Sequence, residues 1–321
     1  MPKASLLGLR VAMIGTFAVV TAVASLVLMA VLTWLQIPFF GIYGILGFVI
    51  FFHILQWLIG PYLIEAVYRA KPVSPQEHSW LKEVFERVVK ASGLSKVPRL
   101  GIAEIDMPNA FAYGNPLKGN AVAVTRGLLQ NLPPEEVEAV LGHEVGHLKH
   151  RDVAFMMMIS IIPALVYYVG YSLYISGWFG ARSSRERGGG GAPLLLVGIA
   201  LIILSFIFNL FVFYFSRLRE YYADAHAAMN TNNGAKNLQR GLVRIMNASS
   251  KPRKFRRTES VKKLNEFKMF FISDPNTGIE GFGEIDELVE KVKNTKPSPI
   301  AELFSTHPHP AKRLKNLDKF T

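Results

Sequence analysis

The sequence predicts a mainly α-helical membrane protein: four transmembrane helices carrying a polar α+β part with a small β-sheet. Half of the 321 residues are hydrophobic and only 19% are charged, against roughly 25% charged in a soluble domain. The apolar residues are gathered in long blocks, the pattern of spanning segments. The polar stretch before residue 152 carries strand-like and then helix-like patterns.

The first block runs from about Val11 to Leu35, with Lys3 and Arg10 before it. It is long enough for a ~30 Å hydrocarbon core. A cleaved signal peptide has an apolar region of roughly 7–15 residues, so this block reads as a retained anchor. After Gln36-Ile37-Pro38, a second block from about Phe39 to Ile64 completes a hairpin. The third runs from about Val153 to Trp178 and the fourth from Pro193 to Phe215. Between them lie Ala181-Arg182-Ser183-Ser184-Arg185-Glu186-Arg187 and the run Gly188–Gly191, a flexible-loop composition. The expected organisation is a transmembrane hairpin at 1–68, a polar piece at 69–152, a second hairpin at 153–215 and a second polar piece at 216–321. His53 and Gln56 share one face of the second span. Hydrogen bonding within the bundle accounts for them, and an intramembrane functional site is the alternative.

Orientation follows Lys and Arg in the short flanks. Lys3, Arg10, Arg69, Lys71, Lys149, Arg151, Arg217 and Arg219 lie on one side, against Arg182, Arg185 and Arg187 on the other. Both polar pieces are therefore expected to face the cytoplasm. The same bias accounts for a net charge of +12 without a nucleic-acid partner, since anionic lipid attracts basic flanks. The basic run Lys251-Pro252-Arg253-Lys254-Phe255-Arg256-Arg257, within 251–263, reads as a solvated or lipid-facing surface. There is no cysteine, which excludes disulfides, thiolate nucleophiles and every Cys-based zinc site. Any metal must be held by His, Asp or Glu.

One segment carries such ligands at the spacing a metal needs: His143-Glu144-Val145-Gly146-His147. Pro133-Pro134-Glu135-Glu136 has the form of a helix start, with proline near the first position and acids in the first turn. Val137, Val140, Leu141, Val145 and Leu148 then recur at helical spacing. On this helix His143 and His147 are one turn apart and can reach one metal ion. Glu144 is rotated by about 100°, placed to hold a water and not the metal. His150 lies two turns from His143 and reads as a flank residue. Taken alone, the segment favours a metal motif, with a polar helix face as the alternative.

A catalytic zinc site needs a third protein ligand and an open position. Glu220 and Asp224 are one turn apart in Ser216-Arg217-Leu218-Arg219-Glu220-Tyr221-Tyr222-Ala223-Asp224. By itself such a pair is a solvated face. Beside two histidines, one carboxylate can bind metal while the other accepts the remaining ring N–H of a ligand histidine. The two segments can meet only if an even number of spans separates them, and the composition gives two.

With Asn109-Ala110-Phe111-Ala112-Tyr113-Gly114, and Thr306-His307-Pro308 followed by Arg313, these motifs stand in a familiar order. Over about residues 6–316 the chain resembles the HtpX family of membrane-bound zinc metalloproteases, and more distantly the CAAX prenyl proteases. The resemblance implies a cytoplasm-facing, zincin-like endopeptidase of the cell membrane. It would degrade misfolded or damaged membrane proteins in quality control under stress, often cutting itself. Its partners would be those unfolded or membrane-protein substrates and the lipid bilayer. One zinc ion (Zn2+) per chain would be held by His143, His147 and Glu220. Glu144 would be the general base, and Asp224 would partner a ligand histidine. His307 would donate to the oxyanion, and Arg313 would orient that segment. The CAAX relatives are larger and have more spans, so processing of prenylated proteins is the poorer match. Tyr113 stands where a small residue such as Thr is expected.

Arg99–Ile105 and Asn120–Thr125 have strand composition, with a turn at Asn115-Pro116-Leu117-Lys118-Gly119. A sheet edge just before the motif helix can take an extended substrate as an added strand, through main-chain hydrogen bonds. Asn109, Ala110, Phe111 and Ala112 are the expected substrate-binding residues, and a plain structural hairpin is the other reading. His307 precedes Pro308 and is held extended or in a turn. Taken alone, Thr306-His307-Pro308-His309-Pro310 is a surface loop. His226 and His309 have no assigned role. Three other functions stand as alternatives, the transporter resting on His53, Gln56 and Asn209 alone. A structural zinc clamp in a membrane scaffold needs a fourth protein ligand. A transporter needs polar groups near the midplane of broken spans. The third is a metallohydrolase acting on something other than peptides.

Overall fold

A computed structural model describes residues 39–74, 78–183, 191–250 and 284–321. The apolar block at 11–35, most of the glycine run and the basic segment 251–263 lie outside the described residues. Three described helices are long and apolar enough to cross a membrane, over Val49–Tyr68, Asp152–Gly180 and Gly191–Asn230. They belong to α1 (Phe39–Tyr68), α5 (Asp152–Ser183) and α6 (Gly191–Asn230).

Helix α6 has 40 residues, about 60 Å at 1.5 Å per residue. That is twice a ~30 Å hydrocarbon core. Its apolar stretch ends near Phe215, but the helix runs on unbroken to Asn230. The expected fourth span and the Glu220/Asp224 pair are thus one continuous element.

The chain divides into two compact units. One contains the described residues before Leu58 together with Ala154–Phe215. In it α5 and α6 share a core of Val166, Val169, Leu173, Leu201 and Phe208. Large apolar side chains such as Tyr171, Trp178, Leu196, Ile203 and Phe206 stay exposed, as lipid-facing surface does. His53 Nδ1 lies 2.8 Å from the Val49 carbonyl one turn back, a bond inside its own helix.

The other unit contains Leu58–Val153 and the described residues from Ser216 onward. Its centre is a four-stranded sheet in the order β1-β2-β4-β3, from β1 (Ala70–Pro72), β2 (Arg99–Ala103), β3 (Ala110–Asn115) and β4 (Gly119–Thr125). β2 and β4 are parallel, and the β1–β2 and β4–β3 pairs are antiparallel. β4 is central, and its alternating side chains divide two layers. Val122 and Val124 face a core with α2 (Ser79–Ala91), α4 (Pro134–Lys149) and α7 (Gly234–Ser250). Ala121 and Ala123 face Phe111, Tyr113, Ile64 and Tyr68, so the end of α1 covers the opposite side of the sheet. Between β4 and α4 lies α3 (Arg126–Asn131), capped by Thr125, whose Oγ1 accepts from Leu128 N. The chain closes with α8 (Ile285–Lys293), α9 (Pro299–Leu303) and α10 (Pro310–Leu317).

Candidate active site

Helix α4 starts at Pro134 with Glu135 and Glu136 in its first turn, where acids suit the helix dipole. Val137, Val140, Leu141 and Val145 have no exposed surface, which fixes the rotation of the helix. Two glycines then admit α6. A Cβ at Gly146 would lie 3.1 Å from His226 Cβ, and one at Gly142 would lie 2.6 Å from Thr231 Cγ2. This close approach brings Glu220 and Asp224 to the histidines.

His143 Nε2 and His147 Nε2 are 3.1 Å apart. Glu220 Oε2 lies 3.7 Å from His143 Nε2, and Glu220 Oε1 lies 3.5 Å from His147 Nε2. Each imidazole turns its other nitrogen to a carboxylate. His143 Nδ1 is 2.9 Å from Asp224 Oδ1, and His147 Nδ1 is 2.6 Å from Asp152 Oδ2. With a proton on each Nδ1, facing its carboxylate, a lone pair is left on each Nε2. Two facing lone pairs cannot hydrogen-bond to each other, but they suit a cation. Zinc–nitrogen bonds of ~2.0–2.1 Å at tetrahedral angles would hold two such nitrogens ~3.3 Å apart. Among the described residues, His143, His147 and Glu220 are the one set of three whose ligand atoms lie within 4.8 Å of one another. Two imidazoles and one carboxylate, without a fourth protein ligand among the described residues, fit a catalytic metal and not a closed structural one.

Buried charges surround this set. Arg313 of α10 forks onto Asp224 at 2.9 and 2.6 Å and reaches Glu220 at 3.2 Å. Burial works against its charge, but the two carboxylates outweigh that and raise its pKa above the usual guanidinium range. Arg219 lies 3.0 Å from Asp152. Burial likewise opposes the His147 imidazolium, yet the Asp152 carboxylate prevails and raises the His147 pKa. Burial pushes the Glu144 carboxyl above the ordinary carboxylate range, against the pull of His143 and His147.

Glu144 accepts the backbone N–H of Ala112, which ties the motif helix to β3. β3 is an edge strand. Asn109 and Thr125 exchange two bonds, Thr125 N to Asn109 O at 2.9 Å and Asn109 N to Thr125 Oγ1 at 2.9 Å. Backbone groups of a strand alternate in direction, so those of Ala110 and Ala112 face out from the sheet. Asn109, Ala110 and Phe111 have buried side chains.

His307 turns inward, with Nδ1 3.3 Å from Glu220 Oε2. Its Nε2 is buried without a hydrogen-bond partner. The segment is pinned by Arg217 Nη1, which donates to Glu302 O at 2.8 Å and Ser305 O at 2.7 Å. Read alone it is a surface loop; in the fold it closes over the acidic pair. Arg313 meets Asp224 and Glu220 directly.

Sequence reasoning missed Asp152 and Arg219. Asp152 follows a turn at Arg151, whose φ is 55°, so helical spacing from His147 could not find it. The available signal was an acid at the very start of an apolar helix. His226 and His309 also gain partners: His226 Nε2 lies 2.9 Å from Ser92 Oγ, and His309 Nδ1 accepts Ala311 N at 3.2 Å.

Residues 75–321 match the model for peptidase family M48. The chain is 41% identical over 269 residues to a protease HtpX homolog of Thermoplasma acidophilum, covering 83% of this chain and 81% of that protein. It is 44% identical over 268 residues to a protease HtpX homolog of Aeropyrum pernix, covering 83% and 82%. The homolog of Thermoplasma volcanium is 38% identical over 306 residues, covering 94% and 91%. In fold the chain resembles the crystal structure of S. mikatae Ste24p, with a TM-score of 0.55 at 17% identity over 98% of this chain and 67% of that one.

Proposed function

We propose, for a chain that belongs to peptidase family M48 and is a membrane-integrated metalloprotease, that it cleaves misfolded or damaged membrane proteins, itself included, on the cytoplasmic side of the cell membrane. The observation that carries the catalytic reading is one cluster: two imidazoles and the Glu220 carboxylate converge, with Glu144 between them and an edge strand.

His143, His147 and Glu220 would hold one zinc ion. Bound there, it would supply Lewis acidity toward a scissile carbonyl and a water. Glu144 holds that water by hydrogen bonding, accepts its proton and passes it to the leaving amine. A carboxyl whose pKa is raised by burial is the stronger base for the first step. Asp224 and Asp152 hold the two imidazoles in register. His307, with its free Nε2, is the nearby donor for charge developing on the carbonyl oxygen. Outward backbone groups of Ala110 and the carbonyl of Ala112 pair with an extended substrate, and Asn109 and Phe111 anchor the strand from within.

The catalytic domain is then built from two pieces, 69–152 and 216–321, with four spans in two hairpins. Two spans between His147 and Glu220 return the chain to one membrane face, and the Lys/Arg bias names that face as cytoplasmic. The test is cleavage of a membrane-protein substrate in detergent by wild type, wild type with chelator, and Glu144→Gln. Cleavage by wild type alone, restored after chelation by zinc, is expected. Cleavage that survives chelation or persists in Glu144→Gln contradicts the reading.

A further inference from the structure

The β3–β4 hairpin is held at its base by Asn109 and Thr125. Its tip is held by the end of α1. Glu65 is the centre of that grip. Its carboxylate accepts Arg99 Nη1 of β2 at 3.0 Å and the Tyr113 hydroxyl of β3 at 3.2 Å, and it pairs with Lys118 Nζ in the hairpin turn. One turn earlier, Lys118 Nζ lies 4.3 Å from the centre of the Tyr62 ring. One further turn back, the Leu58 carbonyl accepts Asn115 Nδ2 at 2.7 Å. Leu58, Tyr62 and Glu65 are spaced i, i+4, i+7, one face of a helix. Asn115 Oδ1 in turn accepts Lys118 N at 2.6 Å, so the turn is locked internally as well as to α1.

An edge strand has a ladder on one side only, and β3 has β4 alone to fix its position. Ala112, whose N–H reaches Glu144, lies midway between the two grips. Any slip of the tip therefore moves Ala112 relative to Glu144. The grip also accounts for a tyrosine at 113: only a long phenol spans from the strand to the Glu65 carboxylate.

We propose that Glu65 is a positioning residue for proteolysis: from the end of α1 it sets the register of β3 against Glu144 without touching substrate. This rests on β3 being the strand that receives substrate. Misplacement of about 1 Å can cost ~100-fold in rate, and partial release of the tip gives less.

The experiment compares full-length Glu65→Ala, Glu65→Gln, Tyr113→Phe and Ala112→Pro in detergent, with zinc content measured for each. Two peptide substrates are used, one long enough to run the length of β3 and one confined to the residues flanking the scissile bond. Glu65→Ala is expected to raise KM for the long peptide ~10-fold. It should leave the short peptide, the zinc content and the pH profile of kcat unchanged. Glu65→Gln and Tyr113→Phe, which keep part of the grip, should fall between it and wild type. They carry the test if Glu65→Ala does not fold. Ala112→Pro puts a ring on the outer edge of β3 and should raise KM for the long peptide independently, while loss of its N–H to Glu144 lowers kcat for both peptides. If Ala112→Pro raises KM and the Glu65 and Tyr113 variants do not, the positioning role is wrong and the substrate strand stands. If none of them changes KM, the substrate strand is wrong and the positioning role falls with it. Equal losses on both peptides in the Glu65 and Tyr113 variants, or loss of zinc there, would also overturn it, because they mark general damage.

Discussion

Between α5 and α6, a Cβ added to Gly198 would lie 2.4 Å from Tyr174 N, and one added to Gly177 would lie 2.4 Å from Leu195 N. Backbones touch there, and the contact is made of small residues and apolar neighbours. Around α4 the helices are instead held by buried charge: Arg313 on Asp224 and Glu220, and Arg219 on Asp152. The contrast teaches what each surrounding permits. In lipid, burial of apolar surface offers no driving force, so close packing must supply it. Beside the His143, His147 and Glu220 cluster, the buried carboxylates Asp224, Glu220 and Asp152 are each matched by a guanidinium.

The comparison is broken most severely at Arg313. Arg313→Met leaves Asp224 and Glu220 buried without their guanidinium, and loss of one partner of a buried pair costs about 3–5 kcal/mol. Denaturant unfolding in detergent should show that loss. A cost below about 1 kcal/mol, the range of an exposed pair, would mean the site is less dry than its geometry implies. Next is Gly198→Ala, which forces α5 and α6 apart at a cost of about 1–3 kcal/mol. Stability should fall while zinc content per folded molecule does not, and joint loss of both would erase the distinction between the two kinds of packing.

Asp152→Asn sharpens the charge side. The amide can still accept from His147 Nδ1 but loses its pull on the ring, so zinc affinity should fall ~10–100-fold with the fold intact. Competition with a chelator of known affinity measures this, and unchanged affinity would reduce Asp152 to a partner of Arg219. The smallest effect is at His309, whose Nδ1 accepts Ala311 N–H and caps α10. Burial lowers its pKa, despite the favourable Glu302 and with help from Lys312. A base whose folded pKa is depressed contributes stability above its unfolded value of about 6.5 and loses it as pH falls through the folded pKa. Between pH 7 and 5, wild type should lose about 0.5–1 kcal/mol that a His309→Asn variant keeps. Parallel pH profiles would remove the cap from the account.

What was legible in the chain tracks what is local. His143, Glu144 and His147 were readable because three valines and two leucines fix one helix face. Three of the four expected spans were readable because length and hydropathy suffice for them. Glu220 and Asp224 were readable as a one-turn pair beside a motif that needed a third ligand. Asp152 was hidden by a left-handed turn at Arg151, and the inward fold of His307 by its dependence on Arg217, 90 residues earlier in the chain. Strand β3 was readable as an edge, but its grip by Glu65 depends on α1 covering the sheet, which no local pattern states.

The central claim is that His143, His147 and Glu220 hold the metal while Glu144 does not. Zinc analysis of purified wild type, Glu144→Gln, Asp224→Asn and Glu220→Ala tests it directly. The account predicts full zinc in wild type and Glu144→Gln, a modest loss in Asp224→Asn and a large loss in Glu220→Ala. Full occupancy in Glu220→Ala, or an empty Glu144→Gln, would contradict it.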